Sequence, residues 1–194
     1  MISIEEIEVF ILAGGKSSRM GEEKGLVNYK GKPIISYLID TATMLGMPVS
    51  VIAFDPRYGQ FGLKIYEDTV KEKGPMGGLY TALKRSEREN VLLLSCDMSF
   101  LSEEVLRRLI AQAIPGKINC ISLEGRINPV IGVYPKMLEA SLKELLDENK
   151  LKMQAMVESQ THQIIPMDDF YDRESRIFAN INSKEELKKW EDKS

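Results

Sequence analysis

The chain has 194 residues, 43% of them hydrophobic and 28% charged, with a formal net charge of −3. That length builds one sizeable domain with a proper core and is short for two, and the composition is that of an ordinary soluble globular protein. The slight acidic excess argues against a nucleic-acid partner, which calls for a basic surplus, and the lack of any apolar run near about 20 residues argues against a membrane span.

The acidic start "MISIEEIE" is unlike a signal peptide, so a cytoplasmic location is expected. "IEVFILAG" (Ile7 to Gly14) is an apolar, β-branched run and predicts a buried strand. Pro33 is expected to open a helix through "PIISYLIDTATMLGM", since a proline costs nothing in a first helical turn. Gly46 and Pro48 should end it. "VSVIAF" and "LKIYED" predict a second and a third strand, and after "KGPMGG" the segment "LYTALKRSE" predicts a helix. "NVLLLSCD" is the clearest buried strand of the chain.

Ser102 is a good N-cap for a helix whose Val105, Leu106, Leu109 and Ile110 share one face. "INCISLEG" and "NPVIGVYP" predict a hairpin-like strand pair around Gly125, and a helix follows from Lys136 to about Asn149. "LKMQAMVES" reads as a short helix and "HQIIPM" as a strand. Ser183 and Glu186 have capping-box spacing ahead of a last helix, "EELKKWEDK". Strands alternating with helices imply an α/β fold. The expectation is a three-layer αβα sandwich around a mostly parallel, mixed, Rossmann-like sheet, as a single domain over 1–194.

Cys96 and Cys120 each sit in an apolar run and read as buried thiols, which suits a reducing compartment. One histidine, His162, leaves little for a zinc cluster or a Ser-His-Asp triad, and it reads as a turn or surface residue. In open α/β sheets ligands collect beyond the carboxyl ends of the strands. Three features fall there: the loop after the first strand, Asp68 after the third and Asp97 after the fourth.

The loop "LAGGKSSRMGEEKG" matches neither the P-loop, which would need glycine where Phe10 stands, nor the G-x-G-x-x-G fingerprint. Ala13, Gly14 and Gly15 let a ligand approach bare backbone, while Arg19 and Lys24 offer a planar fork and a compact charge to phosphate oxygens. The alternative is a solvated basic turn, and Glu22 and Glu23 favour it by cancelling charge. Asp97 is placed to hold Mg²⁺ against phosphates. A helix-start or Asx-turn role is its alternative, and Asp68 carries the same ambiguity. "KGPMGGL" is either a plain turn or a surface on which a flat base can lie.

These residues resemble a known family. "LAGGKSSRMGEEK" is similar to the signature loop of nucleotidyltransferases with the nucleotide-diphospho-sugar transferase fold. Gly14-Gly15, "EDTVKEKGPMGGL", "CDMSFL" and "FANINSKEEL" together resemble the molybdenum cofactor guanylyltransferases, from about Ile7 to Trp190. The resemblance implies transfer of GMP from GTP to molybdopterin, with release of pyrophosphate. It implies Leu12, Ala13, Gly14 and Gly15 at the nucleotide, with Arg19 and Lys24 on the triphosphate and Asp97 on Mg²⁺. Asp68 and Gly78 would contact the nucleotide, and Asn128, Pro129, Asn180 and Asn182 would border the acceptor. It leaves room for a protein that delivers molybdopterin.

Some family members carry an asparagine after the second strand. Phe54 or Asp55 takes that place here, so no base contact is carried over. A cytidylyltransferase of the same or another phosphorylated acceptor, and a non-catalytic nucleotide-binding module, are the rival readings.

Overall fold

The computed structural model of the chain describes residues 1–14, 23–179, 181 and 187. In chain order the elements are β1 (Ile7–Leu12), β2 (Asn28–Tyr29), β3 (Lys32–Pro33), α1 (Ile35–Met44), β4 (Val49–Ile52), β5 (Lys64–Tyr66) and α2 (Gly74–Arg85). There follow β6 (Asn90–Ser95), α3 (Glu103–Gln112), β7 (Ile118–Leu123), β8 (Arg126–Pro135), α4 (Glu139–Asp147), α5 (Met153–Ser159), β9 (His162–Pro166) and α6 (Asp168–Arg173).

Among the described residues seven strands form one sheet in the order β5-β4-β1-β6-β8-β7-β9. β5, β4, β1 and β6 pair in parallel, as do β7 and β9, whereas β8 runs antiparallel to both of its neighbours. The sheet is therefore mostly parallel and mixed in its second half, as expected.

Period-two alternation sorts the strands onto two cores. Ile7, Val9 and Ile11 of β1, with Leu92 and Leu94 of β6, face α1, α3 and α6. Phe10 and Leu12, with Val91 and Leu93, face α2, α4 and α5. All six residues of β1 and of β6 are buried, which explains why both read as continuous apolar runs. Glu8 is the charged exception in β1. Its carboxylate accepts from the Ser50 hydroxyl and the Glu87 backbone N–H, each at 3.1 Å, so both of its oxygens are hydrogen-bonded.

Three expectations need correction. Pro33 does not open α1: it pairs with Asn28 in a small hairpin whose two turn residues, Lys30 and Gly31, both have positive φ, as a two-residue turn demands. The first-turn proline belongs instead to α2, which begins at Gly74-Pro75, five residues before "LYTALKRSE". Gly77 and Gly78 of "GPMGG" are thus helical and packed. A Cβ on Gly77 would stand 2.9 Å from the Val70 carbonyl oxygen, and one on Gly78 would stand 2.5 Å from Leu12 Cδ2. Finally, the sequence reading passed over α6, which is short and anchored by the buried ring of Phe170.

Elsewhere Ser102 caps α3 through Val105, and both cysteines are buried free thiols. His162 opens β9, half-buried, with Nδ1 2.9 Å from the Gln160 carbonyl. The capping box and last helix lie, Leu187 apart, outside the described residues. Among the described residues no helix is long and apolar enough to cross a membrane.

Candidate active site

A cleft of about 870 Å³ opens at the carboxyl ends of β1, β4, β5 and β6. Leu12, Ala13, Gly14, Lys24, Asp68, Gly78 and Asp97 all line it, together with Glu23, Phe54, Lys71, Pro75, Ser95, Cys96 and Val130. Seven residues singled out in the sequence thus meet at one site. Gly15, Arg19, Asn180 and Asn182 lie outside the described residues. Asn128 and Pro129 do not line the cleft, although their neighbour Val130 does.

The centre of the site joins β1 to β6. These strands pair from Ile7↔Asn90 to Leu12↔Ser95, so their ends are level. After β6 the Ser95 hydroxyl accepts from the Asp97 N–H and starts a single 3₁₀ turn, which turns the Asp97 carboxylate to the rim. Lys24, in the turn Lys24–Leu26, brings its ammonium to 2.7 Å from Asp97 Oδ1. The lysine side chain is 12% exposed and the aspartate 43%, so the cation is sheltered and the carboxylate is wet. Backbone from the far end of the chain also reaches this point: the Ile181 N–H donates to the Asp97 carbonyl at 2.9 Å.

Tyr58 has a positioning role that the sequence did not reveal. Its ring is fully buried, and its hydroxyl donates to the Ala13 carbonyl at 3.0 Å, with Glu23 Oε2 at 3.4 Å. A Cβ on Gly25 would stand 2.6 Å from that hydroxyl, so a glycine is needed there. One phenol thereby ties down the chain on both sides of the cationic loop. It also uses the Ala13 carbonyl, and the Ala13 N–H already donates to Ile52. Both backbone groups of Ala13 are therefore engaged within the chain, and the bare approach begins at Gly14.

Burial, with Asp55 nearby, pushes the Glu23 carboxyl above its ordinary range. Burial does the same to Asp68, opposed only in part by Thr81. Asp68 Oδ1 is buried and has no hydrogen-bond partner among the described residues. An acceptor of that kind asks for a donor from outside the chain. Cys96 is pushed up to about 12, chiefly by burial, so it stays a thiol near neutrality and is no nucleophile.

Among the described residues no three His, Cys, Asp or Glu side chains gather as a metal cage. A hard divalent ion such as Mg²⁺ does not need one. It is held by one or two carboxylates, with phosphate oxygens and water completing the shell. The wet Asp97 carboxylate fits that donor set.

The second wall comes from a fault in the sheet. β7 and β8 pair regularly as far as Cys120↔Gly132, and the next partner of Ile121 is Asn128. Pro129, Val130 and Ile131 stand in the gap, where a proline has no ladder bond to lose. The Tyr134 hydroxyl donates to the Pro129 carbonyl, holding the bulge, and the Asn128 amide donates to Met98 Sδ at 3.0 Å. Val130 is thereby brought to the cleft.

This crevice and sheet belong to a nucleotidyltransferase family. The family model of the MobA-like NTP transferase domain matches residues 9–164, and the chain belongs to that family. It is 36% identical over 185 residues to a protein of Flavobacterium johnsoniae named a probable molybdenum cofactor guanylyltransferase, covering 95% of this chain and 96% of that one. A Bacillus licheniformis protein of the same name is 31% identical, with 97% of each covered. The fold is shared with the crystal structure of molybdopterin-guanine dinucleotide biosynthesis protein A from Archaeoglobus fulgidus. The TM-score is 0.79 at 20% identity, over 95% of this chain and 97% of that one.

Proposed function

We propose that this chain, as a single domain working in the cytoplasm, transfers GMP from GTP to the terminal phosphate of molybdopterin. The products would be the guanine dinucleotide and pyrophosphate. The names of the relatives support the substrates. The observation that carries the chemistry is the Lys24–Asp97 pair, 2.7 Å apart at the level ends of β1 and β6.

In this mechanism an oxygen of the acceptor phosphate attacks the α-phosphorus of GTP in line, and the bond to pyrophosphate breaks. A phosphate monoester is already ionised near neutrality, so no strong protein base is required, which suits a site where Cys96 keeps its proton. Lys24 neutralises the triphosphate from a sheltered position, where its charge is weakly screened. Asp97 holds Mg²⁺, which when bound offsets charge on the phosphate oxygens. Asp68 offers its orphaned oxygen to a donor of the nucleoside, while Gly14, Gly78 and the start of α2 leave room for the nucleotide. Arg19 joins Lys24 on the triphosphate. By the family resemblance Asn180 and Asn182 would serve the acceptor side, together with Asn128, Pro129 and Val130. A protein that delivers molybdopterin would meet this side.

Purified protein offered GTP, CTP, UTP or ATP with Mg²⁺ and molybdopterin tests the reading through released pyrophosphate. Release with GTP alone is expected. Release with CTP instead would make the enzyme a cytidylyltransferase, and nucleotide binding without release would make it a non-catalytic module.

A further inference from the structure

Phe54 is an aromatic side chain left standing in the nucleotide cleft. It is 47% exposed, while the two residues before it, Ile52 and Ala53, are 3% and 2% exposed. The other exposed large apolar residues among those described are Met1, Ile4, Met44, Ile114 and Met137, none aromatic and none lining the cleft. Tyr29, Tyr37 and Phe100 pack on one another at 5.2 to 5.8 Å, while Tyr80, Tyr134 and Phe170, which make no ring pair among the described residues, are buried. Phe54 makes no ring pair among the described residues.

Its backbone is held on both sides. The Ala53 N–H donates to the Tyr66 carbonyl at 3.0 Å, and the Asp55 carboxylate accepts from the Arg57 N–H at 2.9 Å. The chain on either side of the ring is thus anchored, and the ring itself stands half-exposed. On one side it borders Gly14, where a Cβ would be in van der Waals contact with Phe54 Cδ2 at 4.0 Å. On another lies the Lys71 ammonium, 5.7 Å from the ring centroid, near the outer limit of about 6 Å for a cation–π contact. The exposed part of the ring faces the cleft, and a flat π-system can lie against it from there.

We infer that Phe54 is the stacking wall for the base of the nucleoside triphosphate, and so a specificity-determining residue of this site. The inference rests on the proposed nucleotidyl transfer for its ligand. Stacking is tolerant of base identity but scales with ring area, so the wall favours guanine over cytosine without reading either edge.

The test compares binding of GTP and of inorganic tripolyphosphate, both with Mg²⁺, to the whole protein and to Phe54→Ala, Phe54→Leu and Phe54→Tyr. Phe54→Ala should weaken GTP about 5- to 100-fold and leave tripolyphosphate within about twofold. Phe54→Tyr should keep GTP affinity, and Phe54→Leu, apolar but without a π-face, should stay close to Phe54→Ala. Unchanged GTP binding in Phe54→Ala overturns the inference, as does an equal loss for GTP and tripolyphosphate, which would mark Phe54 as a prop for the phosphate loop. If the unaltered protein releases pyrophosphate yet Phe54→Ala binds GTP normally, the transferase reading stands and the stacking wall falls. If it releases none but Phe54→Ala loses GTP selectively, the reverse holds.

Discussion

The two halves of the sheet contribute to the cleft in opposite ways. The parallel half, β5-β4-β1-β6, ends level, and its tips present Lys24, Asp68, Asp97 and the bare Gly14. The mixed half, β8-β7-β9, sends in Val130 alone among the described lining residues, and it does so through a bulge. Parallel strands all release their loops at one edge, so charge gathers there as a consequence of topology. An antiparallel strand has no such edge and must break its own ladder to reach the same place. The first half is thus suited to holding a polyphosphate, and the second to shaping what lies opposite it.

The sharpest way to break this contrast is Asp97→Ala. Loss of the carboxylate should lower kcat/KM for GTP about 10²- to 10⁴-fold, the scale of removing a charge-stabilising group from a transition state. The thermal midpoint should fall only modestly, because the 12%-exposed Lys24 ammonium loses an ion pair whose carboxylate is 43% exposed. Pyrophosphate release and a melting curve check both, and near-normal turnover would remove the metal role. Lys24→Ala comes next, at about 10- to 10³-fold in kcat/KM for GTP. Lys24→Arg should recover only part, since a planar fork does not replace a compact ammonium at 12% exposure.

Asp68 separates binding from chemistry within the parallel half. Asp68→Asn should raise KM for GTP about 10- to 100-fold, the range for a hydrogen bond to a charged group, and leave kcat nearly intact. Its stability effect has the opposite sign. Burial raises the folded-state carboxyl above its unfolded value, so the folded chain binds this proton more tightly. That contribution is fully favourable below the unfolded value and is lost as pH rises through the folded one. Asp68→Asn should therefore melt higher than the parent near neutrality, with the advantage shrinking as pH falls into the carboxylate range. A higher melting point of the parent at pH 7 would mean that the buried oxygen is satisfied after all.

What the sequence disclosed follows the same division. "NVLLLSCD" was legible because a strand buried on both faces reads as an apolar run, and its terminal aspartate then had to lie at the sheet edge. Lys24 and Asp97 could be brought together on paper by that rule alone. The start of α2 was hidden because "GPMGG" has the composition of a turn. Its glycines answer to Val70 and Leu12, which only the folded chain brings near. Pro33 misled for a related reason: a proline before an apolar helix suits a first turn, and nothing local marks Lys30-Gly31 as a hairpin. Tyr58 lies 45 residues from the carbonyl it holds, and Phe54 gains meaning only from its exposure. The β7–β8 bulge could be suspected from Pro129, but its size could not.

The mixed half is tested by the smallest change. Tyr134 is fully buried in β8, its hydroxyl donating to the Pro129 carbonyl with Cys120 Sγ 3.3 Å away. Tyr134→Phe keeps the ring and removes the tie between the bulge and the strand that carries it. Losing a buried hydrogen bond and leaving the Pro129 carbonyl without that donor should cost about 1–2 kcal/mol in chemical denaturation. The bulge would then hold Val130 less firmly, and the loss should fall on the acceptor: KM for molybdopterin up about two- to fivefold, with GTP affinity unchanged. That ratio follows from the division of labour, because the Tyr134 hydroxyl meets Pro129 and Cys120, neither of them among the described residues that line the cleft. Equal losses for GTP and acceptor would mean that the two halves of the sheet set one pocket jointly, and the contrast between them would fail.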